Sequence, residues 1–248
     1  MLKYLIAVLL LIAGALVWMQ LGIGVPRVYP QFSPPLPQPH LYDQPEMSIT
    51  TIQIVAIYFV PKNKTANLFA EWRPVLESHL HKLQAFHALQ FQGRSTILFD
   101  VYPKVIVGRE DNRTYDTDVT QHGNPEALKS ISQELEARVF EPGGDHYRPG
   151  GISQPVSHYR VLLIIYEGVG AAGSDNVALF SRTFLSDPRY GSVGASIVAH
   201  EFYHTLGLPD AYELESARPT SLDLMGLGRL KPIEQAYLSH EVLKHLGF

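Results

Sequence analysis

Two histidines four residues apart, with a glutamate after the first, stand in the stretch IVAHEFYHTLGLPDAY, Ile197–Tyr212. On a helix, His200 and His204 project from one face, one turn apart. Two imidazole nitrogens so placed can reach a single zinc ion at about 2.0–2.1 Å. Glu201 projects beside them, where it can take a proton from a zinc-activated water rather than ligate the ion. Gly207 stops the helix, because glycine enters the left-handed conformation without a Cβ clash. Pro209 keeps the helix from resuming, and the reversed chain can return Asp210 as a third, oxygen ligand. Three protein ligands leave one position open, as a catalytic zinc site requires and a closed structural site lacks. The other reading of the same residues is an amphipathic helix whose histidines edge the core and whose glycine is a plain cap.

The elements that must position these residues follow from periodicity. Ala195 to Leu206 reads as the helix, with Ile197, Val198, Phe202 and Leu206 available to a core. Upstream, Ile49–Val60, Ser95–Val107 and His158–Val169 are β-branched and aromatic and read as strands. Between them, Trp72, Leu76, Leu80, Leu83 and Phe86 recur at helical spacing, and Pro125 opens a second helix with Leu128, Ile131, Leu135 and Val139 on one face. His79, His81 and His87 lie in the first of these helices without a carboxylate at ligand spacing, and read as solvent-facing or satisfied. Alternating strands and helices predict an α+β, layered α/β domain. Gly108–Gly123 is polar and reads as a solvated loop.

Composition excludes other chemistries. The chain has 248 residues, no cysteine and a formal net charge of -4. Disulfides, thiolate metal sites and cysteine nucleophiles are therefore absent, and the charge does not suit a nucleic-acid partner. Ser174 and Ser181 lack the GxSxG surroundings of a nucleophile elbow. At the N-terminus, Tyr4–Val25 carries no charge, and its 22 residues suffice for about 30 Å of helix, the thickness of a bilayer's hydrocarbon. Trp18, Met19, Gln20 and Leu21 stand where small residues would favour cleavage, so residues 1–25 read as a retained signal-anchor, with secretion after cleavage as the alternative. Lys3 on one flank places the bulk of the chain outside the cytoplasm. Pro26–Pro45 holds seven prolines, so residues 26–46 are expected to be a semi-extended tether, and 47–248 the catalytic domain.

The HExxHxxGxxD spacing of His200, Glu201, His204, Gly207 and Asp210 resembles the zinc-binding consensus of metzincin-clan metallopeptidases. The HEFYHTLGLPDAY wording is most similar to snapalysin-type and immune-inhibitor-A-like members. The resemblance implies a methionine in a tight turn under the metal, and SLDLMGLG offers Met225, 15 residues after Asp210. It also implies a twisted mixed sheet with two helices above the site, and a C-terminal helix below it, for which KPIEQAYLSHEVLKHLGF is the candidate. The chain departs from many members in having Asp210 for a third histidine, Leu227 where some place a tyrosine, and no cysteine for latency.

Taken together, these residues predict a membrane-anchored zinc metalloendopeptidase acting on a peptide or protein substrate. Zn2+ is its one catalytic ion, held by His200, His204 and Asp210, and Glu201 is the general base. Tyr212 and Tyr190 are candidate donors to the oxyanion. The peptide is expected along an edge strand within Asp175–Phe184. The alternative is a zinc-binding, non-catalytic, membrane-anchored module, which would have no need of Glu201.

Overall fold

The computed structural model describes residues 37–116, 125–138, 159–211 and 222–248. The apolar segment 1–25, the tether up to residue 36, part of the polar loop, Val139 and Tyr212 lie outside the described residues. Among the described residues, no helix is long and apolar enough to cross a membrane.

The chain opens with a small antiparallel pair, β1 (His40–Leu41) and β2 (Gln44–Ser48). There follow β3 (Thr51–Val60), α1 (Trp72–Gln90), β4 (Thr96–Val101), β5 (Ile106–Val107), α2 (Asn112–Tyr115) and α3 (Pro125–Arg138). The second half supplies β6 (Tyr159–Tyr166), β7 (Ala171–Ser174), β8 (Val177–Ser181), α4 (Thr183–Ser186), α5 (Gly194–His204) and α6 (His240–His245). The strand expected over Ser95–Val107 is broken between β4 and β5, where Pro103 lacks the amide hydrogen that a ladder needs.

Six strands make one mixed sheet in the order β4-β3-β6-β8-β7, with β5 pairing β3 farther along. The first four in that order are mutually parallel, and β7 is antiparallel to β8. Alternate residues of β3 face opposite layers. Ile52, Ile54, Ala56, Tyr58 and Val60 join a core with α1, α5 and the C-terminal segment, whereas Val55, Ile57 and Phe59 meet Leu128, Ile131 and Leu135 of α3. Burial on both faces is why β3 and β6 read as continuous apolar runs rather than alternating ones. The apolar stripe of α1 lands as its spacing predicts, with Trp72, Leu76, Leu80, Leu83 and Phe86 buried.

Three expectations are corrected. The fold reaches back into the stretch assigned to the tether: His40 N donates to Leu246 O at 3.0 Å and Tyr42 N to Leu206 O at 2.9 Å. The Asp175–Phe184 stretch is not the sheet edge. Its β8 lies between β6 and β7, because a turn with Asp175 at φ 50° folds β7 back along it. Among the described residues the edge is β7, whose small Ala-Ala-Gly-Ser sequence carries little strand propensity. The C-terminal segment is not one helix. Tyr237 is extended and pairs with Asp223, and helix resumes at α6 where Ser239 accepts from Val242 N.

His87 ties α1 to α5 and to the start of β3 through a buried polar chain. Ser95 Oγ donates to Ile49 O, so it accepts from His87 Nε2 at 2.7 Å. His87 Nδ1 then accepts from Tyr203 Oη at 3.0 Å. The ring is neutral, and burial pushes its pKa down to about 3. Lowering pH below about 6.5 protonates this histidine in the unfolded chain but not in the fold, so stability falls as pH drops towards 3. From pH 6.5 to 5 this one group should remove about 2 kcal/mol. Urea unfolding at the two pH values should show a shallower pH dependence in His87→Gln, by about that amount.

Candidate metal centre

The helix α5 is buried along almost its whole length, packed between α1, β8 and β7. His200 and His204 leave it on one side, ring centroids 4.7 Å apart. Each ring is aimed by its other nitrogen. His200 Nδ1 donates to Leu224 O at 3.0 Å, and His204 Nδ1 donates to Leu208 O at 2.7 Å. A carbonyl can only accept, so Nδ1 carries a hydrogen in both rings, and Nε2 is the atom each ring turns towards the group. Burial is the main cause that lowers the pKa of His204, which keeps that ring neutral near neutral pH.

Asp210 completes the group. Gly207 sits at φ 87° just past the helix, and its amide donates to His204 O at 3.0 Å, as the glycine stop predicts. The chain reverses, and Asp210 Oδ1 lies 3.3 Å from His200 Nε2 and 3.8 Å from His204 Nε2. The two Nε2 atoms are 3.2 Å apart. A tetrahedron with arms of about 2.0–2.1 Å has edges of about 3.3–3.4 Å. Two of the three edges are close to that length, and the His204–Asp210 edge must shorten by about 0.4 Å for the three atoms to form one face of such a tetrahedron. His200, His204 and Asp210 are a group able to hold a metal ion.

Glu201 is buried beside them. Burial pushes its carboxyl up to about 7, with His200 and Arg229 opposing the shift and Asp210 reinforcing it. A carboxyl poised near neutrality at a metal site has the character of a general base.

The turn around Met225 holds the group from below. Leu224 O takes the His200 ring, and Met225 O accepts from Ala211 N at 2.8 Å, next to Asp210. Met225 itself is fully buried in the core with Val198, Ala199 and Phe202. Asp223 shapes this turn and escaped the sequence reading. Its Oδ1 accepts from Met225 N and its Oδ2 from Ser239 N, both at 2.8 Å. An aspartate two residues ahead of the turn residue is an Asx-turn signature, which could have been read from SLDLMGLG. Gly173 of the edge strand was also missed. A Cβ there would lie 2.8 Å from His204 Cβ and collide with Glu201 O, so β7 can lie on α5 only with glycine at this position. A glycine inside a strand is the available signal for such a close approach.

Tyr190, a candidate oxyanion donor, sits on the turn ahead of α5, its ring edge-on to Phe184 and beside Arg189. It makes no hydrogen bond or ring contact with the His–His–Asp group among the described residues.

Asp223→Ala should cost about 2–4 kcal/mol in urea unfolding, since two backbone amides lose their acceptor in a buried turn, and Asp223→Asn should cost less. Gly173→Val should destabilise by about 1–3 kcal/mol and speed amide exchange in β7, which must lift from α5. Compared with known proteins, the chain matches no family model and no curated sequence.

Proposed function

We propose that this chain is a zinc metalloendopeptidase with a metzincin-like catalytic domain. The observation that carries this reading is the triangle of His200 Nε2, His204 Nε2 and Asp210 Oδ1, with edges of 3.2, 3.3 and 3.8 Å, beside the buried Glu201. Two imidazoles and one carboxylate suit zinc, and three protein ligands leave room for substrate. When bound, Zn2+ supplies Lewis-acid chemistry, acidifying water to a pKa of about 7 and polarising a carbonyl.

The protein's own groups do the rest. The carbonyls of Leu224 and Leu208 keep both rings turned with Nε2 inward. Glu201 accepts the proton of the attacking water and returns it to the leaving amine. An extended peptide adds to the outer side of β7, which Gly173 seats directly on the turn of α5 that carries Glu201 and His204. Residues 1–25 serve as a membrane anchor, with the catalytic domain on the extracytoplasmic side.

Purified protein should carry about one zinc per chain by elemental analysis. Glu201→Gln should keep the metal and lose on the order of 10²–10⁴-fold in peptide cleavage. His200→Ala and Asp210→Ala should lose metal and activity together, and a chelator should abolish wild-type cleavage until zinc is returned. Undiminished cleavage by Glu201→Gln would overturn the assignment of the base.

A further inference from the structure

A cavity of about 430 Å³ adjoins the metal group and is used by none of the residues assigned so far. Its walls are Thr205 and Gly207 at the end of α5, Asp175 and Asn176 between β7 and β8, Tyr159 at the start of β6, and Leu41 of β1. Two of these walls continue into the site. Gly207 stands midway in the chain between His204 and Asp210. The Asp175–Asn176 turn ends the strand whose Gly173 lies against His204 Cβ and Glu201 O.

The polar groups around the cavity are held in place by the fold. Ser174 pairs with Val177, so Asp175 and Asn176 form a two-residue turn, with Asp175 in the left-handed region at φ 50°. Asn176 O accepts from Leu162 N at 2.8 Å, which ties that turn to β6. Tyr159 Oη donates to Thr205 O at 2.7 Å, which ties β6 to the end of α5. The side chain of Asn176 differs from these. Its Nδ2 is buried and meets no acceptor, the only buried side-chain nitrogen among the described residues of which this is true. Buried donors are ordinarily paired in folded proteins, because an unpaired one has lost its water without a replacement.

The lining selects the chemistry that can answer this donor. An apolar side chain leaves Nδ2 unpaired, and an ammonium or guanidinium opposes it with donors of its own. A carboxylate could accept, but the charged residue in the lining is Asp175 and the chain carries -4 overall, so an acid is repelled. A carboxamide suits both neighbours, since its oxygen accepts from Asn176 Nδ2 and its NH₂ can donate to the Asp175 carboxylate. Leu41 and the Tyr159 ring give its methylenes an apolar wall.

We propose that this cavity is a substrate subsite for a glutamine or asparagine side chain, with Asn176 as its specificity residue. The proposal rests on the peptidase reading and adds a substrate class to it. A peptide seated along β7 leaves that strand at Ser174, beside the cavity. Gly173 lies against the backbone of Glu201, and two residues of extended chain span about 7 Å. The side chain that enters the cavity therefore belongs to a residue about two to four positions from the cleaved bond.

The test uses zinc-loaded protein and peptides that differ at a single position, carrying Gln, Asn, Glu, Lys or Leu there. That position is scanned over about four residues on each side of the cleaved bond. At one position wild type should favour Gln or Asn over Glu, Lys and Leu by about tenfold or more in kcat/KM. In Asn176→Ala that ratio should fall to about one. Asn176→Asp, which keeps the shape and replaces the donor by an acceptor, should turn the preference to Lys. Fluorescence anisotropy with Glu201→Gln should give the same carboxamide preference in binding, lost in the Glu201→Gln, Asn176→Ala double variant. Cleavage without a carboxamide preference at any position, or with one that either Asn176 variant retains in full, overturns the proposal and leaves the peptidase standing. Carboxamide-selective, Asn176-dependent binding by a chain that cleaves nothing overturns the peptidase instead. Absence of both cleavage and selective binding overturns both.

Discussion

Two neighbouring carbonyl groups, on Leu224 and Met225, carry the geometry of the site. One takes the Nδ1 hydrogen of His200, and the other takes the amide of Ala211, directly after Asp210. His200 on the helix and Asp210 on the following loop are thus referred to the same short turn. The turn is in turn held by the carboxylate of Asp223, which spans from Met225 N to Ser239 N. Hydrogen bonds to a charged acceptor are the stronger kind, and here they are sheltered in a nearly inaccessible position. The precision of the His–His–Asp triangle therefore depends on backbone carbonyls that carry no side-chain identity at all.

The sheet supplies the opposite wall. Because β3 and β6 are buried on both faces, they form a stiff floor that fixes where α5 can lie. The antiparallel β7 closes the open side of that sheet and rests on α5 through Gly173. A strand built from alanine, glycine and serine is poor at packing against a core. It is well suited to approaching a helix closely.

Electrostatics divides the labour around the metal group. Glu201 is desolvated, so its proton is held more firmly than in water and is available near neutral pH. His204 is neutral for the same reason of burial, which suits a ligand. Arg229 adds a positive charge from the turn beyond Met225. One low-dielectric environment thus raises an acid and lowers a base, since burial disfavours whichever form is charged.

Much of this was legible from residue order because it is local. Helical periodicity placed α1 and the five buried apolar residues of its stripe, and close spacing put His200, Glu201 and His204 on adjoining positions of α5. The left-handed preference of glycine at Gly207 located the reversal that returns Asp210, all within eleven residues of chain. What spacing could not contain is contact between distant segments. The edge position of β7 depends on which strand pairs with β8, and pairing is decided by tertiary packing rather than by strand propensity. The division of the C-terminal segment turns on Asp223 and Tyr237, 14 residues apart, forming a bridge that outcompetes a helix of moderate propensity. The carbonyls that orient the two imidazoles are of the same kind. Sequence alone determined which residues could ligate and which could transfer a proton, because those depend on side-chain chemistry and local backbone geometry. Only the tertiary structure decided how those residues are aimed and what walls surround them, because each depends on groups brought together by folding.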